Sequence, residues 1–246
     1  GMTAARILRT LDFGAMMTVA YTMRRDEREA VASYLGKPGA EPGPSPAAFC
    51  TNRTVALPAT PAQSWNGWSP TSENTRFVPA GLARLSPAQV KGLTLKWAFG
   101  FEVDNQVFVG SAGGVVYALK ADSGCVQWTY QATGPVRSPV VASRVSTRHV
   151  LVFGDLTGWF YALDAATGKE IWKKRPEPHE SVRLSAAPLV HDGIAYIPVA
   201  SWEESRALNT EYPCCTFRGS IVALRVSDGQ QVWKTVLVGD PVETGR

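Results

Sequence analysis

Two adjacent glutamates, Glu203-Glu204, are followed closely by two adjacent cysteines, Cys214-Cys215, and then by Arg218. A disulfide between neighbouring cysteines closes a small ring, and strained, easily reduced bonds of that kind suit a functional site. Two free thiols in a loop are the alternative for the same pair. Paired carboxylates in a loop supply the hard oxygen ligands that a cation such as Ca²⁺ takes; two solvated surface glutamates are the plainer reading. Arg137, Arg183 and Arg218 lie at comparable points near loops. A guanidinium fork matches carboxylates, so a ring of arginines suits a polyanionic ligand, although each one singly reads as a surface or salt-bridging residue. His149, His179 and His191 are isolated and lack metal-ligand spacing. The chain has no Gly-x-Gly-x-x-Gly or Walker loop and no Cys-x-x-Cys-His for covalent haem attachment. Cys50 and Cys125 either pair with each other or stand as lone buried thiols.

What must position these residues is a repeat. Gly114-Val-Val-Tyr-Ala-Leu leads to Gly124 and Trp128, Gly158-Trp-Phe-Tyr-Ala-Leu to Gly168 and Trp172, and Gly219-Ser-Ile-Val-Ala-Leu to Gly229 and Trp233. Self-similarity of this kind sets the architecture before any local propensity does. In the second copy, Val150 to Phe153 and Trp159 to Leu163 read as strands. Gly154 to Gly158 and Asp164 to Gly168 read as turns, with Gly168 at a position needing positive φ. Lys169 to Trp172 starts a third strand, and Ser138 to Ala142 is a short strand upstream. Four short antiparallel strands per repeat make one blade of a β-propeller, and the large Trp beside Ala and Gly suggests that its indole covers a neighbouring blade. The Trp172-to-Trp233 interval exceeds the Trp128-to-Trp172 interval by an insertion, which holds Trp202, both glutamates and both adjacent cysteines. Trp97 reads as part of a preceding strand. The Trp97-to-Trp128 interval is short by about a strand, with Gly100 to Asn105 in its place.

The expected fold class is therefore all-β: a partial β-propeller of about three blades of tryptophan-docking repeats, behind a short α-helical stretch. Residues 1–36 read as two helices, Ala4 to Leu11 capped by Thr3 and Arg25 to Leu35 stopped by Gly36, the latter with Ala30, Val31, Tyr34 and Leu35 inward. Residues 37–49 form a Pro/Gly linker that is not expected to pack. Residues 50–92 read as irregular with one short helix near Ser86 to Val90, and the blades fill about 93–240. A net charge of +4 spread along the chain does not form the basic patch of a nucleic-acid binder. No apolar run spans a bilayer, and no segment reads as a signal peptide.

The Tyr161-Ala-Leu-Asp-Ala-Ala-Thr-Gly168 repeat ending at Trp172 resembles the tryptophan-docking repeats of the pyrroloquinoline quinone (PQQ) dependent dehydrogenases. Trp65-Asn-Gly-Trp68, Asn74-Thr-Arg-Phe77 and Val90 to Trp97 resemble the entry segment before their first blade. Cys214-Cys215 resembles the vicinal disulfide that covers the quinone. Within the family, the chain resembles the polyvinyl alcohol dehydrogenases, which carry a cytochrome c domain ahead of the propeller. Residues 1–36 resemble the end of that domain, and Gly14-Ala-Met16 resembles its axial-methionine loop, with Met17 next to the ligand candidate Met16.

The resemblance implies that Arg183 and Ser185 contact the quinone and that Arg137 meets a quinone carboxylate. It implies that Arg218-Gly219 opens the following strand. Ser201 and Glu204 would belong to a Ser-x-x-Glu segment whose glutamate binds Ca²⁺, with Glu203 beside it. The chemistry implied is alcohol oxidation, of simple alcohols or of polyvinyl alcohol. PQQ and calcium would be cofactors, haem c a partner group of the parent enzyme, and a cytochrome the electron acceptor, in the periplasm or outside the cell. The chain departs from the family in lacking haem-attachment cysteines and in having too few copies to close a ring. The sequence thus reads as an internal fragment, inactive by itself and self-associating through open propeller edges. A cofactor-free propeller scaffold for protein binding is the reading from a different class.

Overall fold

In the computed structural model, residues 1–20, 22–57, 66, 67, 69, 75–94, 106–207 and 211–239 are described. Among these residues, twelve strands form three consecutive antiparallel sheets. The first contains β1 (Gln106–Gly110), β2 (Val115–Lys120) and β3 (Val126–Gln131). The second runs β4 (Val141–Val145), β5 (Arg148–Gly154), β6 (Phe160–Asp164) and β7 (Glu170–Lys174) in chain order. In the third, β10 (Ile194–Ser201) pairs β11 (Ser220–Arg225), which pairs β12 (Gln231–Val236). The other edge of β10 is shared by β9 (Leu189–His191) and β8 (Val182–Arg183). These are the blades that the repeats predicted. Trp97 and the Gly100-to-Asn105 replacement lie outside the described residues.

The copies agree in detail. Each has its β-bulge at the Ala-Leu pair, between Ala118 and Leu119, Ala162 and Leu163, and Ala223 and Leu224. Each has its turn glycine in the left-handed region, Gly124 at φ 70°, Gly168 at 70° and Gly229 at 71°. The first two indoles dock as expected, whereas Trp233 of the third copy is 40% exposed. Trp128 Nε1 donates to the Ala165 carbonyl at 3.1 Å and Trp172 Nε1 to the Val226 carbonyl at 2.8 Å, both buried. A Cβ added to Gly168 would lie 2.5 Å from Trp128 Cε3, and one on Gly229 2.8 Å from Trp172 Cδ2. Glycine is thus required twice over, for its backbone and for the face of the incoming ring. Trp172 joins a core between the second and third sheets with Val152, Phe160, Ile197 and Leu224, and Trp128 joins one between the first and second with Phe153, Tyr161 and Val55.

The expectations fail at three places. The first strand of the second blade begins at Val141, not Ser138. Pro139 has no N–H for a ladder, and the Ser138 hydroxyl bonds the Gly154 carbonyl and N–H at 2.9 Å each, in place of backbone pairing. The Pro/Gly stretch packs: Glu41 pairs with Arg9, Pro46–Ala48 makes a 3₁₀ turn, and Phe49 bridges Val126 in parallel. Cys50 is bonded to Cys125, and Val55 is inserted beside Trp128 with its N–H on Ala166, so this segment clips the first two blades together.

Both N-terminal helices form, α1 (Ala4–Phe13) with the Thr3 cap and α2 (Arg25–Leu35) ending at Gly36. Their inward face differs from the one expected. Ala32 is buried, whereas Tyr34 and Leu35 are 88% and 63% exposed, on the side of α2 away from its packing on α1. Two short helices, α3 (Ala80–Ala83) and α4 (Pro87–Val90), precede the blades; α4 starts at a Ser86/Gln89 capping box. No helix among the described residues is long and apolar enough to cross a membrane.

Candidate functional site

The β1–β2, β5–β6 and β10–β11 connections occupy equivalent places in three blades, so they open at one end. A chain of backbone hydrogen bonds laces that end together. Val136 N–H donates to Ser111, Leu156 to Pro135, Leu184 to Asp155 and Trp202 to Ser181, at 2.9–3.1 Å. Asp155, fully buried, is its hub. Its carboxylate accepts from Gly134, Thr157 and Trp159 N–H groups and from the Thr157 and Tyr161 hydroxyls at 2.7–3.0 Å. Burial and the Asp155 carboxylate push the Tyr161 phenol well above its ordinary range. Asp155 reads in the sequence only as a turn residue; the buried carboxylate in an Asp-x-Thr-Gly turn was the available signal.

The insertion of the third blade extends this end. It begins at Ser201, whose hydroxyl accepts from Glu203 N–H at 3.3 Å, and continues as a single helical turn, α5 (Glu203–Arg206). The two glutamates part company there: Glu203 is 2% exposed, Glu204 is exposed. Glu203 Oε1 accepts from the Tyr212 hydroxyl at 3.0 Å and from Thr216 N–H at 2.8 Å and its hydroxyl at 3.1 Å, while Oε2 accepts from Phe217 N–H at 2.6 Å. Burial alone would raise its pKa, but the donors from Thr216, Phe217 and Tyr212 outweigh burial and hold it at about 2. Cys214 and Cys215 are disulfide-bonded and exposed, just before Thr216. Arg218 Nη1 donates to the Cys215 and Phe217 carbonyls at 3.2 and 3.0 Å.

His179 is not isolated. Its Nδ1 accepts from Ser181 N–H at 3.1 Å, so the proton of the neutral ring is on Nε2, 3.0 Å from the Thr216 hydroxyl. Its ring meets Phe217 edge-on at 5.4 Å.

Arg183 stands between the Phe13 ring at 5.4 Å and the Trp202 ring at 6.0 Å, with Nη1 on the Val182 carbonyl. Burial, then Arg206, lowers its pKa, and Asp12, Asp155 and Glu204 oppose that shift. Through Phe13 it touches α1, which lies over the same end of the blades: Arg9 Nη1 donates to the Gly113 carbonyl at 2.7 Å. Between α1 and the first blade is a cleft of about 660 Å³ lined by Arg6, Arg9, Phe13, Glu41, Gly113 and Arg137.

Of the residues named from the sequence, Arg183, Ser201, Glu203, Glu204, Cys214, Cys215 and Arg218 thus share one blade end, with Arg137 in the neighbouring cleft. Ser185 is exposed one residue past Leu184, and Met16 is 44% exposed in the α1–α2 connection. Among the described residues no group of three or more His, Cys, Asp or Glu could hold a metal ion.

A family model of PQQ type, described as outer membrane protein assembly factor BamB, matches residues 59–245. The chain is 32% identical to a polyvinylalcohol dehydrogenase of a Pseudomonas species over 90% of its own length, and 33% identical to one of a Sphingopyxis species over 94%. It spans about two fifths of each, 39%. Among solved structures, the quinohemoprotein alcohol dehydrogenase of Comamonas testosteroni matches with a TM-score of 0.55 at 25% identity, covering 74% of this chain and 28% of that one. A europium-containing methanol dehydrogenase matches with the same TM-score at 24% identity over 72% of this chain and 32% of its own, a likeness of fold.

Proposed function

The chain belongs to the PQQ-dependent dehydrogenase family, and on that premise we propose that it forms the cofactor-covering part of an alcohol dehydrogenase of the polyvinyl alcohol type. The observation that carries this reading is the exposed vicinal disulfide on the third blade, beside arginines at the end where the loops of three blades meet. PQQ is a flat, polyanionic quinone. The residues present fit it in kind: an exposed disulfide as a lid, Arg183 as a desolvated cation, and Arg137 in a neighbouring cleft with Arg6 and Arg9. When bound, PQQ supplies the hydride acceptor for alcohol oxidation. Arg183, Ser185 and Arg137 would hold its polar groups, Ser201 and Arg218 would shape the loop that carries the lid, and Cys214-Cys215 would shield it from water.

Calcium fits less well. Both Glu203 oxygens are taken by protein donors, which leaves Glu204 as the carboxylate of the pair that could meet a cation. Residues 1–36, with Met16, read as the end of a cytochrome c domain, 37–49 as its linker and 50–246 as propeller. The parent's electron acceptor is a cytochrome. Two disulfides support an oxidising compartment for the parent enzyme, the periplasm or outside the cell.

The residues assigned here include no general base, so the 246-residue chain is expected to bind PQQ without turning over alcohol. Calorimetric titration with PQQ, followed by a dye-linked assay with alcohols and Ca²⁺, tests this. Saturable binding without turnover is the expected result, and turnover would overturn the inactivity. The BamB description of the family model favours a second reading, a cofactor-free protein-binding scaffold. Failure of PQQ to bind or to raise the melting temperature supports that alternative.

A further inference from the structure

We infer that Glu203 is the positioning residue of the vicinal disulfide: its buried carboxylate, with His179 behind Thr216, holds the 212–217 segment in the one place where Cys214-Cys215 can serve as a lid. The inference rests on the lid reading above and goes beyond it, since the family pattern points to these glutamates as metal ligands. The geometry is specific. Cys214-Cys215 is flanked by residues that answer to one carboxylate, Tyr212 on one side and Thr216 and Phe217 on the other.

The donors are of three kinds: phenol, alcohol and backbone N–H. The two backbone N–H groups belong to residues whose own conformation sets where Cys215 goes. On the outer side, His179 Nε2 donates to the Thr216 hydroxyl, which in turn donates to Glu203 Oε1, so the hydroxyl is fixed from both directions. Arg218 closes the loop by donating to the Cys215 carbonyl. Glu203 itself is held by the start of α5, whose preceding residue, Trp202, hangs from the lacing bond to Ser181. The lid is thereby tied to the rigid blade end and not only to its own exposed loop. Hydrogen bonds to a buried charge are among the stronger ones in a protein.

The test uses the full chain and two readouts. The first is the rate at which dithiothreitol reduces Cys214-Cys215, followed by mass labelling of the freed thiols. The second is hydrogen exchange at the Thr216 and Phe217 amides. Glu203→Gln puts an amide donor where a carboxylate oxygen received N–H groups. Reduction and exchange are expected to quicken roughly tenfold or more, with Cys50–Cys125 reduction unchanged. Thr216→Val, which removes one hydroxyl, is expected to act in the same direction, and Thr216→Ser to restore wild-type rates; this pair keeps the test decisive if Glu203→Gln does not fold. Wild-type rates in Glu203→Gln, or in Thr216→Val, overturn the inference. Absence of PQQ binding by the wild-type chain sinks the cofactor reading and leaves these two rates to judge Glu203 separately.

Discussion

At Glu203 a carboxylate is buried among neutral donors, and its free energy depends on staying charged. The ordinary glutamate value is about 4.3, and in the folded chain the group is held at about 2 against its own burial. Its pKa is depressed on folding, so the stability it contributes is complete above about pH 4.3 and is lost as pH falls toward 2. Urea unfolding between pH 5 and pH 2.5 is expected to show a loss of stability in that window that Glu203→Gln lacks; equal pH slopes for the two proteins would contradict the assignment. Arg183 shows the complementary case of a cation desolvated between aromatic faces, where cation–π contacts of about 0.5–2 kcal/mol offset part of the burial cost. Neither environment is visible in sequence. The adjacent glutamates look equivalent on paper, and the donors at Tyr212, Thr216 and Phe217, in the segment leading into β11, decide that one turns in and the other out.

The blade is where the sequence speaks most clearly. Identical offsets of Gly, Ala-Leu, Gly and Trp in three copies predict strands, turns and docking because every one of those residues answers to local geometry: bulge, left-handed turn, ring on glycine. Gly168→Ala is expected to lower stability by about 2–5 kcal/mol, from a left-handed backbone of about 1–2 kcal/mol and overpacking of about 1–3 kcal/mol against Trp128. Chemical denaturation checks this; a change below about 0.5 kcal/mol, the size of an ordinary surface substitution, would mean that Trp128 does not rest on that turn. The places where the reading slipped are those governed by distant partners. Ser138 has the pattern of a strand residue, but its hydroxyl bonds Gly154 in place of a ladder. His179 looked isolated because Thr216 and Glu203 are far from it in sequence. The Pro/Gly stretch looked unpacked because the docking of Phe49 and Val55 depends on Cys125, Val126 and Ala166.

At the scale of the whole molecule, two devices bind dissimilar parts into one body. The Cys50–Cys125 disulfide closes a long loop between residues 75 apart in sequence, a constraint of about 4 kcal/mol in a chain-entropy account. It fastens the segment that clips the first two blades. The α1 helix rests on the blade end through Arg9 on Gly113 and Phe13 on Arg183, next to the blade that carries Cys214-Cys215. The exposed apolar residues of the last strand and beyond, Val232, Trp233, Val236, Leu237 and Val238, leave that sheet's outer face without a partner among the described residues. The central claim is that the end of the third blade receives PQQ beneath Cys214-Cys215. It is tested most directly by calorimetric PQQ titration of the wild-type chain against the Cys214→Ala/Cys215→Ala double variant. The account predicts saturable binding of one PQQ per chain, weakened roughly tenfold or more, about 1.4 kcal/mol, when the disulfide is removed. Equal affinity in the two proteins, or no binding by either, would contradict it.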